Sequence, residues 1–289
     1  MPFEYQSFTT NPNKSTTIQF SQNVIYYLPA VAYYSLSYGS SDHHVEEVAL
    51  RLSVNQPSQT QLMVTVNAVL QDHGGNTIDN AESSVTVVVL AWTGTDPGTI
   101  QLASASNIAN NGQSGPITLP SSNLSTFQTA FAGFDLSYGS SDHHVLYQGA
   151  GVSGEQSGST GYVVGSARMG DSSGNTASTA TVNGGLIAVA AGTDPGVGFA
   201  LSANQQSDSP VYVNFPKTLK QAAVMLVSQT ASFSSDHHIQ TVGAGCSGWS
   251  VNGNAVQLDN ARAFMNDGSG NHQNDSKSNV TMLVVGFYA

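Results

Sequence analysis

Five consecutive residues, Ser-Ser-Asp-His-His, occur three times in this chain and constrain its fold more than any other feature. The copies begin at Ser40, Ser140 and Ser234, so they are separated by 100 and 94 residues, and they hold six of the eight histidines. Self-similarity at a long and nearly constant period is typical of tandem modules. The sequence therefore predicts three related folding units rather than one large domain.

A second repeat indicates where the units meet. Gly-Thr-Asp-Pro-Gly occurs at 94–98 and again at 192–196, each time after an apolar run. Asp-Pro-Gly favours a turn, because proline fixes φ at one corner and glycine accepts a positive φ at the next. The predicted modules are residues 1–98, 99–196 and 197–289.

A third repeat, D-x-x-G-N, lies inside each predicted module. Its copies are residues 72–76, 171–175 and 267–271. Asp, Asn and Gly are the residues of tight turns, so each copy predicts a hairpin loop. A calcium loop is the alternative, because oxygen-bearing side chains cluster there, although the EF-hand order of ligands is absent.

The chain is poor in charge and acidic. Only 9% of residues are charged, Lys and Arg together number 7, and the net charge is −11. Nucleic acids and anionic membranes need cationic contacts, so neither is an expected partner. No apolar run reaches 18 residues, and residues 1–5 lack the features of a signal peptide, so no membrane insertion is expected. Cys246 is the single cysteine and forms no disulfide within the chain.

Alternation of apolar and polar residues with a period of two predicts β-strands throughout. Residues 84–92, 185–190 and 279–287 are apolar on both faces, as central strands are. Helical spacing is weak, and only residues 122–128 suggest a single turn. The predicted fold is all-β: three tandem antiparallel six-stranded β-sandwich modules, arranged as a pseudo-trimer.

Two segments resemble the H-type lectin pattern, in which a strand ends, a short crossing follows and an apolar strand begins. They are residues 215–227, FPKTLKQAAVMLV, and residues 28–36, LPAVAYYSL. The resemblance implies six-stranded sandwiches of about this length that assemble as trimers and bind sugars, similar to domains on phage fibres and virion appendages. Three modules in one chain would then form a covalent pseudo-trimer.

The histidine motif lies between two predicted strands, where successive side chains point to opposite faces. One histidine per module can therefore face a common axis, and three imidazoles suit zinc, nickel or iron. The candidate metal ligands are His43, His44, His143, His144, His237 and His238. The candidate acceptors that would hold those rings in place are Asp42, Asp142 and Asp236.

Other roles for these side chains remain open. The motif can equally be a hydrogen-bonded loop or a packing contact between modules, or it can touch a ligand directly. Adjacent Ser, Asp and His cannot form a catalytic relay, which needs groups from separate segments. Trp249 is the candidate aromatic platform for a sugar, whereas Trp92 and Cys246 are expected to be buried.

These features predict a non-enzymatic binding or structural protein of a virion, such as a phage tail, fibre or decoration protein, or of a secreted assembly, recognising cell-surface glycans. The alternatives are a purely architectural virion protein and a metal-binding protein that uses the clustered histidines. A metalloenzyme is disfavoured, since no general base is evident. The expected partners are other virion or assembly proteins, glycans and further copies of the chain, in a virion or extracellular location.

Overall fold

The computed structural model describes residues 2–202, 205–206 and 208–289, and it confirms the all-β prediction. The predicted bounds define three segments: the first (1–98), the second (99–196) and the third (197–289). The strands of the first segment are β1 (Phe3–Thr10), β2 (Lys14–Gln19), β3 (Val24–Ser37), β4 (Glu47–Ser58), β5 (Gln61–Gln71) and β6 (Ser84–Thr93). Those of the second are β7 (Ile100–Ala109), β8 (Ile117–Thr118), β9 (Leu124–Ser137), β10 (Val145–Ser157), β11 (Thr160–Gly170) and β12 (Thr179–Ala190).

The third segment is more divided than the other two. Its strands are β13 (Val197–Leu201), β14 (Val211–Asn214), β15 (Leu219–His237), β16 (Thr241–Gly245), β17 (Gly248–Asn252), β18 (Ala255–Asp259), β19 (Arg262–Asn266) and β20 (Asn279–Tyr288). A 3₁₀ turn, Asp275–Lys277, precedes β20. Within the described ranges, no helix has the length and apolar character needed to cross a membrane.

Each of the three larger sheets takes strands from two segments. The sheet β1-β6-β3-β16-β19 joins the first segment to the third, and β2-β5-β4-β9-β12-β7 joins the first to the second. The sheet β13-β20-β15-β10-β11-β8 joins the third to the second, and β14-β18-β17 form a smaller sheet. The joining strand pairs, β3–β16, β4–β9 and β10–β15, are all antiparallel. We call these three pairs the junctions.

The three apolar runs predicted as central strands do lie inside sheets. β6 lies between β1 and β3, β12 between β9 and β7, and β20 between β13 and β15. These strands are buried along most of their length because both faces of the sheet are covered.

The suggested helical turn at 122–128 was wrong. Strand β9 begins at Leu124 and pairs with β12 along its length. The short polar run carries little helix preference of its own, so the hydrogen bonds of the neighbouring central strand decide its conformation.

A layer of apolar side chains lies where the three segments meet. Val45, Val145 and Ile239 follow the second histidine of each motif, and all three are buried. They line one small apolar cavity together with Val48, Leu70, Gln148, Met169, Val242 and Met265. The residues that follow the motifs therefore form part of a shared core, which places the motifs beside one another.

Candidate metal centre

The three motifs are joined to one another through their backbones. In each, the first histidine forms an antiparallel bridge with the residue that follows the histidine pair of another segment. The bridges are His43 with Ile239, Val45 with His143, and Val145 with His237. The first two are reciprocal N–H···O=C pairs with N···O distances between 2.9 and 3.0 Å. These bridges fix the direction of every histidine side chain, because neighbours on an extended chain point to opposite sides.

The second histidine of each motif points into one cluster, the histidine triad of His44, His144 and His238. The ring centroids lie 4.4 Å apart for His44 and His144, 4.5 Å for His44 and His238, and 4.8 Å for His144 and His238. One potential ligand nitrogen from each ring lies within 4.8 Å of the other two. The structure thus brings together three of the six candidate histidines.

The triad is close to the dimensions of a metal site. An equilateral triangle with 4.8 Å edges has its centre about 2.8 Å from each corner, whereas a Zn–N bond is about 2.0–2.1 Å. Each ring would need to move inward by less than about 1 Å. The Nε2 atom of His44 is buried and has no hydrogen-bond partner among the described residues. A buried polar atom without a partner is costly, so this nitrogen is well suited to bind a metal ion.

An aspartate of another segment lies near Nδ1 of two triad rings. The distance is 3.6 Å from His44 Nδ1 to Asp142 Oδ1, and 3.8 Å from His238 Nδ1 to Asp42 Oδ1. These distances exceed hydrogen-bond length. The carboxylates of Asp142 and Asp42 therefore lie near these two rings without a hydrogen bond to them.

The same aspartates attach each motif to the D-x-x-G-N loop of another segment. Asp42 accepts from the backbone N–H of Gly268, Asp142 from that of His73, and Asp236 from that of Ser172, at distances between 2.8 and 3.2 Å. The first segment thus contacts the third, the second contacts the first, and the third contacts the second.

The first histidine of each motif has a different environment, since it contacts the D-x-x-G-N aspartate of its own segment. The Nδ1–Oδ2 distance is 3.0 Å for His237 and Asp267 and 3.3 Å for His43 and Asp72. It is 3.7 Å for His143 and Asp171. Each of these rings also packs against an aromatic side chain, namely Tyr38, Tyr138 or Phe233. His43, His143 and His237 therefore lie outside the triad and attach each motif to its own hairpin loop.

The D-x-x-G-N segments are hairpin loops closed by their own side chains. In each loop the Asp accepts from both the backbone N–H and the side-chain amide of the Asn four residues later, as with Asp72 and Asn76 at 2.8 and 2.6 Å. Burial alone would raise the pKa of Asp72, but the hydrogen bonds from Asn76 outweigh it and hold that pKa below its ordinary value. The pKa values of Asp171 and Asp267 are lowered in the same way. These oxygens are already engaged, which favours the hairpin over the calcium alternative.

Sequence reasoning missed the role of Asp72, Asp171 and Asp267 as partners of the first histidines. A signal was available, because the D-x-x-G-N loops recur with nearly the same spacing from each motif. Two repeats that share one period belong to the same local arrangement in every copy, and a carboxylate beside a histidine is a common pair.

The other candidate residues lie away from the triad. Trp249 is half-buried, packs against the core, and donates from Nε1 to the carbonyl of Ala222 at 2.8 Å. Trp92 and Cys246 are buried, and burial raises the pKa of the Cys246 thiol to about 11. Such a thiol stays protonated near neutral pH and is unreactive.

The comparisons with known proteins give no family for this chain. No protein-family model matches it, and no curated protein sequence does either.

Proposed function

We propose that this chain is a non-enzymatic structural and binding protein whose three β-sandwich modules form a covalent pseudo-trimer around one transition-metal ion. The observation that carries the proposal is the histidine triad, to which each segment contributes the same residue of the same motif. The metal would be held by His44, His144 and His238, with zinc, nickel or iron as the candidate ions.

The pseudo-trimer is supported by contacts that follow one order around the molecule. Each motif aspartate accepts from the loop of a different segment, and each junction pairs a different two of the three segments. No segment is left at an end of this arrangement. A linear string of modules would instead leave its first and last members without a mutual contact.

The metal is supported by ligand type, spacing and environment. Neutral imidazole is the usual ligand for these ions, and the carboxylates of Asp142 and Asp42 lie 3.6 and 3.8 Å from Nδ1 of His44 and His238. An ion bound there would link three segments through one centre. Since it would bind the folded chain and not the unfolded one, it would stabilise the fold by mass action.

Metal analysis tests this proposal directly. The purified chain is stripped with a chelator, titrated with Zn²⁺ or Ni²⁺ in a calorimeter, and analysed for bound metal by mass spectrometry. We expect one ion per chain and a higher melting temperature after loading. The variant H44A/H144A/H238A should lose the ion.

The matched control is H73A/H272A, which removes two histidines outside the triad. It should bind the ion as the wild type does. A folded wild-type chain that binds no ion at micromolar metal, or a triad variant that still binds one, would overturn the metal part of the proposal and leave the triad as a packing contact between modules.

We place the protein in a virion appendage or a secreted assembly, where it would contact other structural proteins and cell-surface glycans. Its low charged fraction and its resemblance to H-type lectin modules support this context. Mass spectrometry of purified particles and of culture medium is the test, and detection restricted to the cell interior would contradict it. A purely architectural role is the second candidate, favoured by the extensive strand pairing at the junctions.

A further inference from the structure

An open trough lies on the outer face of the junction between β10 and β15. Its floor is the backbone of Gly149 and Gly151, both on β10. Its volume of about 580 Å³ lies within the range of small-molecule sites. The walls carry polar side chains from both neighbouring strands: Ser166 and Arg168 on β11, and Ser228 and Thr230 on β15.

The close approach of β15 leaves no room for a side chain at Gly151 and little room for one at Gly149. A Cβ at Gly151 would lie 2.4 Å from the Cβ of Ser228, and a Cβ at Gly149 would lie 3.0 Å from Thr230 Oγ1. Without side chains at these positions, the floor stays low between the hydroxyl groups of Ser228 and Thr230 on one side and the side chains of Ser166 and Arg168 on the other. The trough is therefore a consequence of the close packing of β15 against β10 at these two glycines.

The chemistry of the trough contrasts with that of the whole chain. Its 14 lining residues include no Asp or Glu, although the chain carries 18 of them. Arg168 is exposed, and its guanidinium lies 5.7 Å from the centroid of the Tyr147 ring. In the part of the chain that the structure describes, Arg51 and Arg262 form ion pairs with carboxylates and Arg168 does not. The trough is thus locally cationic and offers a free guanidinium.

The corresponding positions at the other two junctions are filled. On β4 the equivalents of Gly149 and Gly151 are Ala49 and Arg51, and Arg51 pairs with Asp135 on β9. On β16 the equivalents are Gly243 and Gly245.

The space above Gly243 is occupied by an aromatic ring. A Cβ at that position would lie 2.2 Å from Phe264 Cζ, and Phe264 stacks on Tyr33 with 6.2 Å between centroids. The open trough is therefore specific to the junction between the second and third segments.

We propose that this trough binds an acidic oligosaccharide, with Arg168 contacting a sugar carboxylate and the surrounding hydroxyl and amide groups contacting sugar hydroxyls. A guanidinium forms paired, charge-assisted hydrogen bonds with a carboxylate. Ser, Thr, Asn and Gln side chains both donate and accept, as the hydroxyls of a sugar require. This inference rests on the proposed glycan-binding role and names its site and its ligand class.

The test is an array that carries matched sialylated, uronic-acid and neutral glycans, followed by calorimetry with the best acidic glycan and its carboxyl-reduced form. The full chain should prefer acidic glycans, and reduction of the carboxylate should weaken binding at least tenfold. The variant Arg168→Gln should show a loss of the same size without a change in melting temperature.

Lys14→Gln is the matched control, since it removes one exposed positive charge away from the trough. It should bind as the wild type does. A second variant, Ser166→Trp, should block the trough by volume and leave the charge unchanged.

Two outcomes separate the site from the broader role. If acidic glycans bind but neither Arg168→Gln nor Ser166→Trp weakens them, the site assignment is overturned and glycan binding stands. If no glycan binds, or if neutral glycans bind as well as acidic ones, the proposed ligand class is overturned as well.

Discussion

Two regions of the molecule differ in how closely their three copies match. One is the motif end, formed by the three Ser-Ser-Asp-His-His motifs and their D-x-x-G-N loops, and the other is the set of junctions between the segments. At the motif end, the same residue types make the same kinds of contact in every segment: histidine with histidine, histidine with aspartate, and aspartate with a loop N–H. At the junctions the strands pair alike, but the residues above them differ.

This difference has a chemical reason. The histidine triad takes one ring from each copy of the motif, so the loss of any one copy would open it. A pocket on a sheet face needs only one copy, and the other two positions are free to hold an ion pair or stacked rings. Repetition of residue types within this chain therefore marks where the segments act jointly, and variation marks where one segment can act alone.

The largest expected effect comes from a junction glycine. Gly133 has a φ of 140°, and a Cβ there would lie 2.0 Å from the carbonyl oxygen of Leu50 on β4. Gly133→Ala should force the two strands apart and lower the free energy of unfolding by about 3 kcal/mol or more. Urea denaturation measures this.

Gly174→Ala is the control, because Gly174 also has a positive φ, of 91°, but an added Cβ would meet nothing within 4 Å. It should cost only backbone strain, about 1 kcal/mol. Equal losses in the free energy of unfolding for Gly133→Ala and Gly174→Ala would show that the junction between β4 and β9 tolerates separation of its strands. That result would contradict the expected difference between the two sites.

An intermediate effect is expected at the motif end. Asp72→Ala, Asp171→Ala and Asp267→Ala each remove the acceptor for an Asn and the carboxylate beside a first histidine, so each should cost about 1–3 kcal/mol. The three costs should agree within about 1 kcal/mol, since the hydrogen bonds to the Asn are equivalent in the three loops. Widely different values would show that the repeated residues are not equivalent in energy.

The same aspartates predict how stability depends on pH. Their pKa values are lowered in the folded chain, so the unfolded chain binds more protons near the ordinary Asp pKa of about 3.9. Their contribution should be complete above that pH and should be lost as the pH falls through the lower folded-state values. Melting temperatures from pH 6 to pH 2 should fall less steeply in the triple Asp→Asn variant than in the wild type.

The smallest effect compares two arginines at equivalent junctions. Arg51 pairs with Glu47 and Asp135 and is about 38% exposed, so Arg51→Gln should cost about 0.5–1 kcal/mol at low salt and less at high salt. Arg168→Gln should leave stability unchanged. A stability loss at Arg168 would indicate a structural role and weaken its assignment to the trough.

The strands could be predicted from the sequence because burial on both faces of a sheet requires apolar residues throughout, as in residues 84–92 and 279–287. It also carried the candidate ligand set, since the three motifs share one pentapeptide. It could not say which histidine of each pair enters the triad. The alternation of side chains is the same for either choice, and only the backbone bridges between segments select His44, His144 and His238.

Strand sharing between segments was beyond sequence reasoning for a related cause. Strands pair through backbone hydrogen bonds, which any sequence of strand residues can form. The residues of β4 and β10 therefore do not indicate that their partners are β9 and β15. The trough was equally hidden, because Gly149 and Gly243 look alike in the sequence. The space beside Gly149 is bounded by the hydroxyl of Thr230 and opens into the trough, whereas the space above Gly243 is filled by the phenyl ring of Phe264.

In this molecule the covalent links between segments and the contacts that hold the segments together lie in different places. The two Gly-Thr-Asp-Pro-Gly turns link consecutive segments covalently, and most of their residues are partly or fully exposed. The segments are held together elsewhere, by strand pairs such as β4–β9 and β10–β15. A chain cut at both turns would keep these strand pairs, so three separate polypeptides could occupy the same places. The turns therefore fix the order of the segments and ensure that the three occur in equal number. The shared sheets hold the segments together.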